Sequence, residues 1–448
     1  MNKLSFQLLI AIICLLVSLQ LSAKEIPSSR PERQGFSSER LNKITEHMNA
    51  KVEDGTMVGG MGLVARNGKI IYQQAYGFAD RENGRVMECD TVYRIFSMTK
   101  PITAVALMIL YEEGKYHLND PISWYMPEMA NLEVALSTAG TSTLSDGMTG
   151  QTIGSGDEKS IGLTRKATRQ PTIRDLFTHM AGMTYGIFGN TEVDKLYRKA
   201  RILDDFRTLK EFTAALGKLP LQYDPGKQWH YSVSSDVQGR LIEVLSGMRF
   251  RSFLKERVFK PLDMVDTDFS IQDSKKNRLA RLYQPKDSRP GDFLSIAKTD
   301  VLEPVPLQYD SAYSGNRRFE SGGGGLLSTA RDYLRFSQMM LNGGELDDVR
   351  ILSPKTVELM TVDHLGDTSD GFRKIGAGFG LGFGLILDPA RALEVSSPGE
   401  YGWAGVAGTR FWIDPKEDLI GIFLVQSVPH RTRLASDFKA LTYQALIE

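Results

Sequence analysis

Apolar and polar positions change their period along the chain, and the changes divide it. From Met61 to Tyr72 apolar residues flank an Asn67-Gly68 pair, the dipeptide that closes a two-residue hairpin, so two strands are predicted there. Near the other end, Gly408 to Ile413 and Leu419 to Gln426 predict two more strands around Asp414-Pro415-Lys416-Glu417-Asp418. Between these ends the spacing turns helical, over Ile102 to Glu113, Ile173 to Met180, Ser234 to Ser246 and Thr329 to Leu341. The pattern predicts an α+β fold in which both ends of the chain supply the sheet and the middle supplies helices. Ala135 to Arg169 fits neither period. It is rich in Gly, Ser and Thr and too poor in large apolar residues to bury a core, so a long exposed loop is expected. Such a loop is either a disordered insertion or a piece of the wall of a substrate cleft.

The first residues read as an address. Lys3 precedes a nearly unbroken apolar run from Leu8 to Leu21, and Ser22-Ala23 supplies small residues ahead of a cut before Lys24. That run is short for a membrane-spanning helix, which needs about 20 residues. Residues 1–23 are therefore expected to be a signal peptide and 24–448 the mature chain, periplasmic or secreted, with no stable membrane anchor. The alternative is an uncleaved anchor. Cys14 follows Ile13, where a lipoprotein cysteine needs a small residue.

Composition narrows the function classes. Hydrophobic residues make up 42% of the 448 and charged residues 24%, as in an ordinary soluble globular protein. Lys plus Arg and Asp plus Glu balance at 54 each, so no net basic field attracts nucleic acid or anionic membrane. Of the two cysteines, Cys14 leaves with the signal, and Cys89 beside Asp90 is expected to be a packed thiol rather than a nucleophile.

Candidate chemistry emerges by exclusion and then by context. There is no Gly-x-Ser-x-Gly elbow and no His-Glu-x-x-His. The six histidines (His47, His117, His179, His230, His364, His430) hold no metal-ligand spacing, and no cofactor or metal is implied. A Ser-His-Asp triad assembled in space has no local support. His179, in Thr-His-Met-Ala-Gly, reads as a structural residue at a helix end. Ser-x-x-Lys occurs at Ser97, Ser252, Ser295 and Ser436. Only Ser97 stands where a polar turn meets a strongly apolar helix, with Pro101 tolerated in the first turn. Lys100 would follow one turn along the same face, and the helix N-terminus suits a developing oxyanion. Ser252 falls on an amphipathic stretch rich in Arg and Lys, a solvated face. A serine hydroxyl needs help to lose its proton. Tyr231, after a turn-rich lead-in and before the Ser234–Ser246 helix, is the second candidate, because a nearby lysine cation favours a phenolate.

Ser97-Met-Thr-Lys100, Tyr231-Ser-Val-Ser-Ser-Asp-Val and Trp403-Ala-Gly405 together resemble the class C β-lactamase superfamily, and most of all its family VIII carboxylesterases. Supporting stretches begin at Pro171, Gly322 and Gly405, and the likeness runs from about Gly35 to the C-terminus, with Ala135 to Arg169 unmatched. The resemblance implies a β-lactamase/transpeptidase-like fold, with sheet-bearing parts at about 31–120 and 305–448 and an inserted, mostly helical subdomain at about 121–304. It implies an acyl-enzyme on Ser97, proton transfer by Lys100 and Tyr231, and an oxyanion hole from the backbone N–H groups of Ser97 and Val406. Two departures bear on substrate. Trp403 stands where the lactamases carry lysine, and Val233 where they carry asparagine. The cleft wall of Trp403, Gly405 and Val233 then lacks a cation for a lactam carboxylate, and small-molecule esters are the expected substrates. The alternatives are a β-lactamase or D-alanyl peptidase, and a non-catalytic scaffold of the same fold.

Overall fold

The computed structural model describes residues 25–136, 164–286, 288, 301–307, 318–366, 375–430 and 432–448. The expected signal peptide, the middle of the Ala135–Arg169 segment and the Ser295 copy of the motif lie outside the described residues.

After a first helix α1 (Ser38–Glu53), the strands β1 (Gly59–Arg66), β2 (Lys69–Asp80) and β3 (Arg85–Val86) form a meander. The chain then leaves the sheet and enters α2 (Thr99–Glu112), α3 (Ile173–Phe177), α4 (Glu192–Lys199), α5 (Leu209–Leu216), α6 (Ser234–Ser246) and α7 (Ala330–Leu341). It returns through β4 (Ala377–Phe379), β5 (Gly384–Ile386), β6 (Tyr401–Ala404), β7 (Arg410–Asp414) and β8 (Leu419–Val425), and closes with α8 (Leu434–Tyr443). The eight strands make one antiparallel sheet in the order β4-β5-β6-β7-β8-β1-β2-β3, so the last strand pairs with the first at its centre.

Strand side chains alternate between faces, and here both faces are covered, so the strands read as almost continuously apolar. Met61, Leu63 and Ala65 of β1 and Ile420, Ile422 and Leu424 of β8 enter the main core. Val64, Leu419, Phe423 and Val425 face the other way, against Leu41, Ile44 and Met48 of α1 and Leu434 and Phe438 of α8. Gly421 sits on that second face because a Cβ there would lie 2.1 Å from the ring of Trp412. On the main-core side, α7 packs on β7 and β8, and α2 packs on α6. Residues Thr99 to Leu110 of α2 are all buried, so α2 is the central rod of the helical side.

Two expectations are corrected. The helix expected to run to Met180 ends at Phe177, because Thr178 leaves the helix and His179 takes a left-handed φ of 55°. Cys89 is exposed rather than packed. Partial burial pushes its thiol pKa up, and Asp90 and Glu88 act in the same direction, so it is a poor nucleophile. The ends of the Ala135–Arg169 segment pair as short strands, Glu133–Ala135 with Thr164–Lys166.

Candidate active site

Ser97 lies in a 3-10 turn, Phe96–Met98, that runs directly into α2. Phe96 before it has a φ of 44°, a backbone state that costs a non-glycine residue energy and that persists only where its surroundings impose it. Those surroundings are specific. Tyr333 Oη on α7 donates to Met98 O at 2.8 Å, Leu326 N donates to Thr99 Oγ1 at 3.2 Å, and Thr409 Oγ1 donates to Ile95 O at 3.3 Å. The turn is therefore clamped from three elements. Its first N–H groups have no preceding helical turn to accept them, and that of Ser97 is among these.

Two side chains converge on the Ser97 oxygen. Tyr231 Oη donates to Oγ at 2.7 Å, and Lys100 Nζ donates to the same Oγ at 3.2 Å. The Lys100 ammonium also donates to Gly323 O at 2.6 Å and lies 4.5 Å from the centre of the Tyr231 ring. Lys100 is only 2% exposed, and a buried cation needs such partners. On the other side of Gly323, its N–H donates to Asp236 Oδ1 at 3.1 Å, and Ser321 Oγ donates to that oxygen at 2.5 Å. One residue of the glycine-rich loop thus links a buried lysine to a fully buried aspartate of α6. Any side chain at 323 would strike Tyr185 Oη at 2.4 Å, which explains the glycine.

Tyr231 comes from the segment leading into α6 and stands in an aromatic enclosure. Trp229 stacks on it at 6.0 Å, and Tyr185, Phe188, His179 and Trp403 approach at 5.3, 5.7, 4.9 and 5.9 Å between ring centres. Burial, the Asp236 carboxylate and Tyr231 push the Tyr185 phenol pKa far up, so Tyr185 stays neutral. Burial, the Lys100 charge and His230 hold the pKa of His179 well below the ordinary imidazole range.

Trp403, on β6, is 9% exposed and packs edge-on against Phe379 at 5.2 Å. Gly405 follows at the end of the strand, where a Cβ would come within 2.6 Å of Ile95 O, so glycine lets this loop meet the turn that carries Ser97. The loop is pinned by Gly405 N to Thr409 O at 2.7 Å, Gly408 N to Gly405 O at 2.9 Å and His430 N to Val406 O at 3.1 Å. The Val406 N–H has no acceptor among the described residues. Val233 departs from expectation. It is completely buried at the start of α6 and belongs to the main core, so its side chain offers no surface to a ligand.

The other motif copies differ in setting. Ser252 is exposed on a five-residue helix, Phe250–Leu254. Ser436 is exposed on α8, and its Lys439 is bound to Glu394 and Glu400 at 2.9 and 2.5 Å. No histidine among the described residues hydrogen-bonds Ser97. No cluster of metal ligands occurs among the described residues, nor does a helix long and apolar enough to cross a membrane. Sequence reasoning missed Asp236, Gly323 and the aromatic enclosure. The run Gly322 to Gly325 was a usable signal, since consecutive glycines mark close backbone approach.

A serine at a strained helix start, with a lysine one turn on and a tyrosine from a second element on its oxygen, defines a serine hydrolase of the penicillin-recognising fold. The chain belongs to the Beta-lactamase family, whose model matches residues 44–444. Esterase EstB of Burkholderia gladioli is 29% identical over 80% of this chain and 83% of its own. A putative D-alanyl-D-alanine carboxypeptidase of Escherichia coli strain K12 is 27% identical over 93% and 89%. Among solved structures, EstCE1, described as a hydrolase with promiscuous acyltransferase activity, superposes with a TM-score of 0.71 at 25% identity, covering 90% of this chain and 99% of its own. The likenesses to Esterase EstB and to the hydrolase EstCE1 support the family VIII relationship.

Proposed function

We propose that this protein hydrolyses carboxylic esters through an acyl-enzyme on Ser97. The observation that carries the reading is the convergence of Tyr231 Oη and Lys100 Nζ on one serine oxygen, to which no histidine among the described residues is hydrogen-bonded. For attack on an ester carbonyl, Tyr231 acts after its phenol proton, held toward Ser97 Oγ in the resting state, has passed to solvent. The Ser97 proton then moves to the phenolate oxygen as Oγ bonds to the carbonyl carbon, with the Lys100 ammonium beside both. The tetrahedral oxyanion rests on the N–H groups of Ser97 and Val406, which face a developing charge at no reorganisation cost. Tyr231 returns the proton to the leaving alcohol, and a water activated by the same path releases the acid.

Trp403 supports esters over lactams. An indole replaces a cation at this wall, and a lost charge-assisted hydrogen bond is worth roughly 1.5–3 kcal/mol, about one to two orders of magnitude in affinity. An ester asks only for the nucleophile, the proton path, the oxyanion hole and an apolar surface. Val233 takes no part by contact, being buried. The names of EstB and EstCE1 point the same way, and the apolar leader supports export to the periplasm or the exterior. The test is kcat/KM for p-nitrophenyl esters of increasing chain length beside nitrocefin and a D-alanyl-D-alanine peptide. Higher efficiency on a short ester is expected; equal or greater efficiency on nitrocefin or the peptide would overturn the ester reading and leave the Ser97 nucleophile standing.

A further inference from the structure

Tyr231 is held from both of its neighbours by one residue. His230 N donates to the backbone oxygen of His179 at 2.9 Å, and Ser232 N donates to His179 Nδ1 at 3.3 Å. The same imidazole lies 4.9 Å from the Tyr231 ring and packs edge-on against Trp229 and Phe379 at 5.7 and 5.6 Å. The left-handed φ of 55° at His179 is what turns its carbonyl and its ring toward the same segment. A non-glycine residue adopts that state at a cost of order 1 kcal/mol or more, and such cost tends to be retained where geometry serves function. His179 is 2% exposed, and its Nδ1 faces the Ser232 N–H at 3.3 Å and the Ser232 hydroxyl at 3.4 Å, so apolar packing alone does not account for a polar ring here.

We infer that His179 is a positioning residue that brackets Tyr231, fixing the phenol oxygen over Ser97 through the N–H groups on either side of it. Nδ1 accepts, so the ring hydrogen sits on Nε2. Burial and the Lys100 charge disfavour the imidazolium, in which a hydrogen on Nδ1 would oppose the Ser232 N–H. This rests on the Ser97–Tyr231 mechanism, but the role differs from the helix-end residue suggested by sequence: the helix ends earlier so that His179 can turn back.

Three substitutions separate positioning from packing. In His179→Asn the side-chain oxygen takes the place of Nδ1, and asparagine tolerates a positive φ. His179→Gln sets its amide at the far end of the ring site, and His179→Phe keeps the ring without an acceptor. A misplacement of about 1 Å can cost about a hundredfold in rate, so kcat is expected to fall roughly ten- to a hundredfold in the Gln and Phe variants and by less than about threefold in Asn, with KM nearly constant throughout. The rate of fluorophosphonate labelling at Ser97 should follow the same order, with melting temperatures identifying any variant that fails to fold. If Phe fails, the Asn–Gln pair still decides. An Asn variant no better than Gln, or full activity in all three, would overturn the inference. If the wild type turned over no ester yet was labelled at Ser97, the ester reading would fall, and the labelling order would still judge His179.

Discussion

Three side chains share one oxygen, and their distance along the chain decided how legible each was. Ser97 and Lys100 are a turn apart, so the apolar helix that follows was enough to place both on one face. Tyr231 is 134 residues away and was found through its helix-start setting and the family resemblance. Asp236, Gly323 and His179 act through contacts between separate elements, which no local period encodes. Two predictions belong at this scale. Ser97→Ala should abolish ester hydrolysis and fluorophosphonate labelling with an unchanged circular dichroism spectrum; retained turnover would remove the nucleophile. Lys100→Ala and Tyr231→Phe should each lower kcat by roughly a hundredfold or more, and the double variant should lose little beyond the worse single one, as the proposed shared proton path requires. Multiplying losses in the double variant would mean independent roles.

Elements with one clear period were read well. The helix predicted over Ser234–Ser246 is α6, and the hairpin at Asn67-Gly68 joins β1 to β2. Boundaries failed where a single residue took an unusual backbone state, as at His179 after α3. A 3-10 turn ahead of α2 was likewise invisible, because its strain at Phe96 comes from clamps in other elements. The two-faced burial of β8 gives a direct test. In Gly421→Val the branched side chain must displace the Trp412 ring, and overpacking of this kind costs about 1–3 kcal/mol. The urea midpoint should fall, and kcat per folded molecule should stay near that of the wild type, because this face lies across the sheet from Ser97. An unchanged midpoint would show that α1 and α8 yield more readily than their packing implies.

At the scale of the whole molecule, the sheet joins the first strand to the last and seats the helical side over it, so that α2, α6 and the end of β6 bring their residues to one point. The same burial makes stability depend on pH. Burial pushes the pKa of His230 and of His430 down to about 4, and His179 is held well below 6.5. The unfolded chain binds protons at these sites near pH 6.5 and the folded chain does not, so stability is present above that pH and is lost as pH falls toward about 4. His230 and His430 each contribute up to roughly 1.4 kcal/mol per pH unit within that window, and His179 acts in the same direction. Asp332, pushed up to about 6 by burial, and Glu320, raised by burial, act in the opposite sense, while His364, lowered by burial, acts with the other three histidines, so the histidines are the more numerous. The urea midpoint at pH 5 should therefore lie below that at pH 7.5; an equal or higher one would contradict the neutral, buried histidines. The central claim concerns a covalent bond, and the most direct measurement is mass spectrometry of the enzyme quenched in acid during turnover of p-nitrophenyl butyrate. A butyryl adduct on the peptide that contains Ser97 is the predicted result. Turnover with the adduct on any other residue, or with no adduct at all, would contradict it.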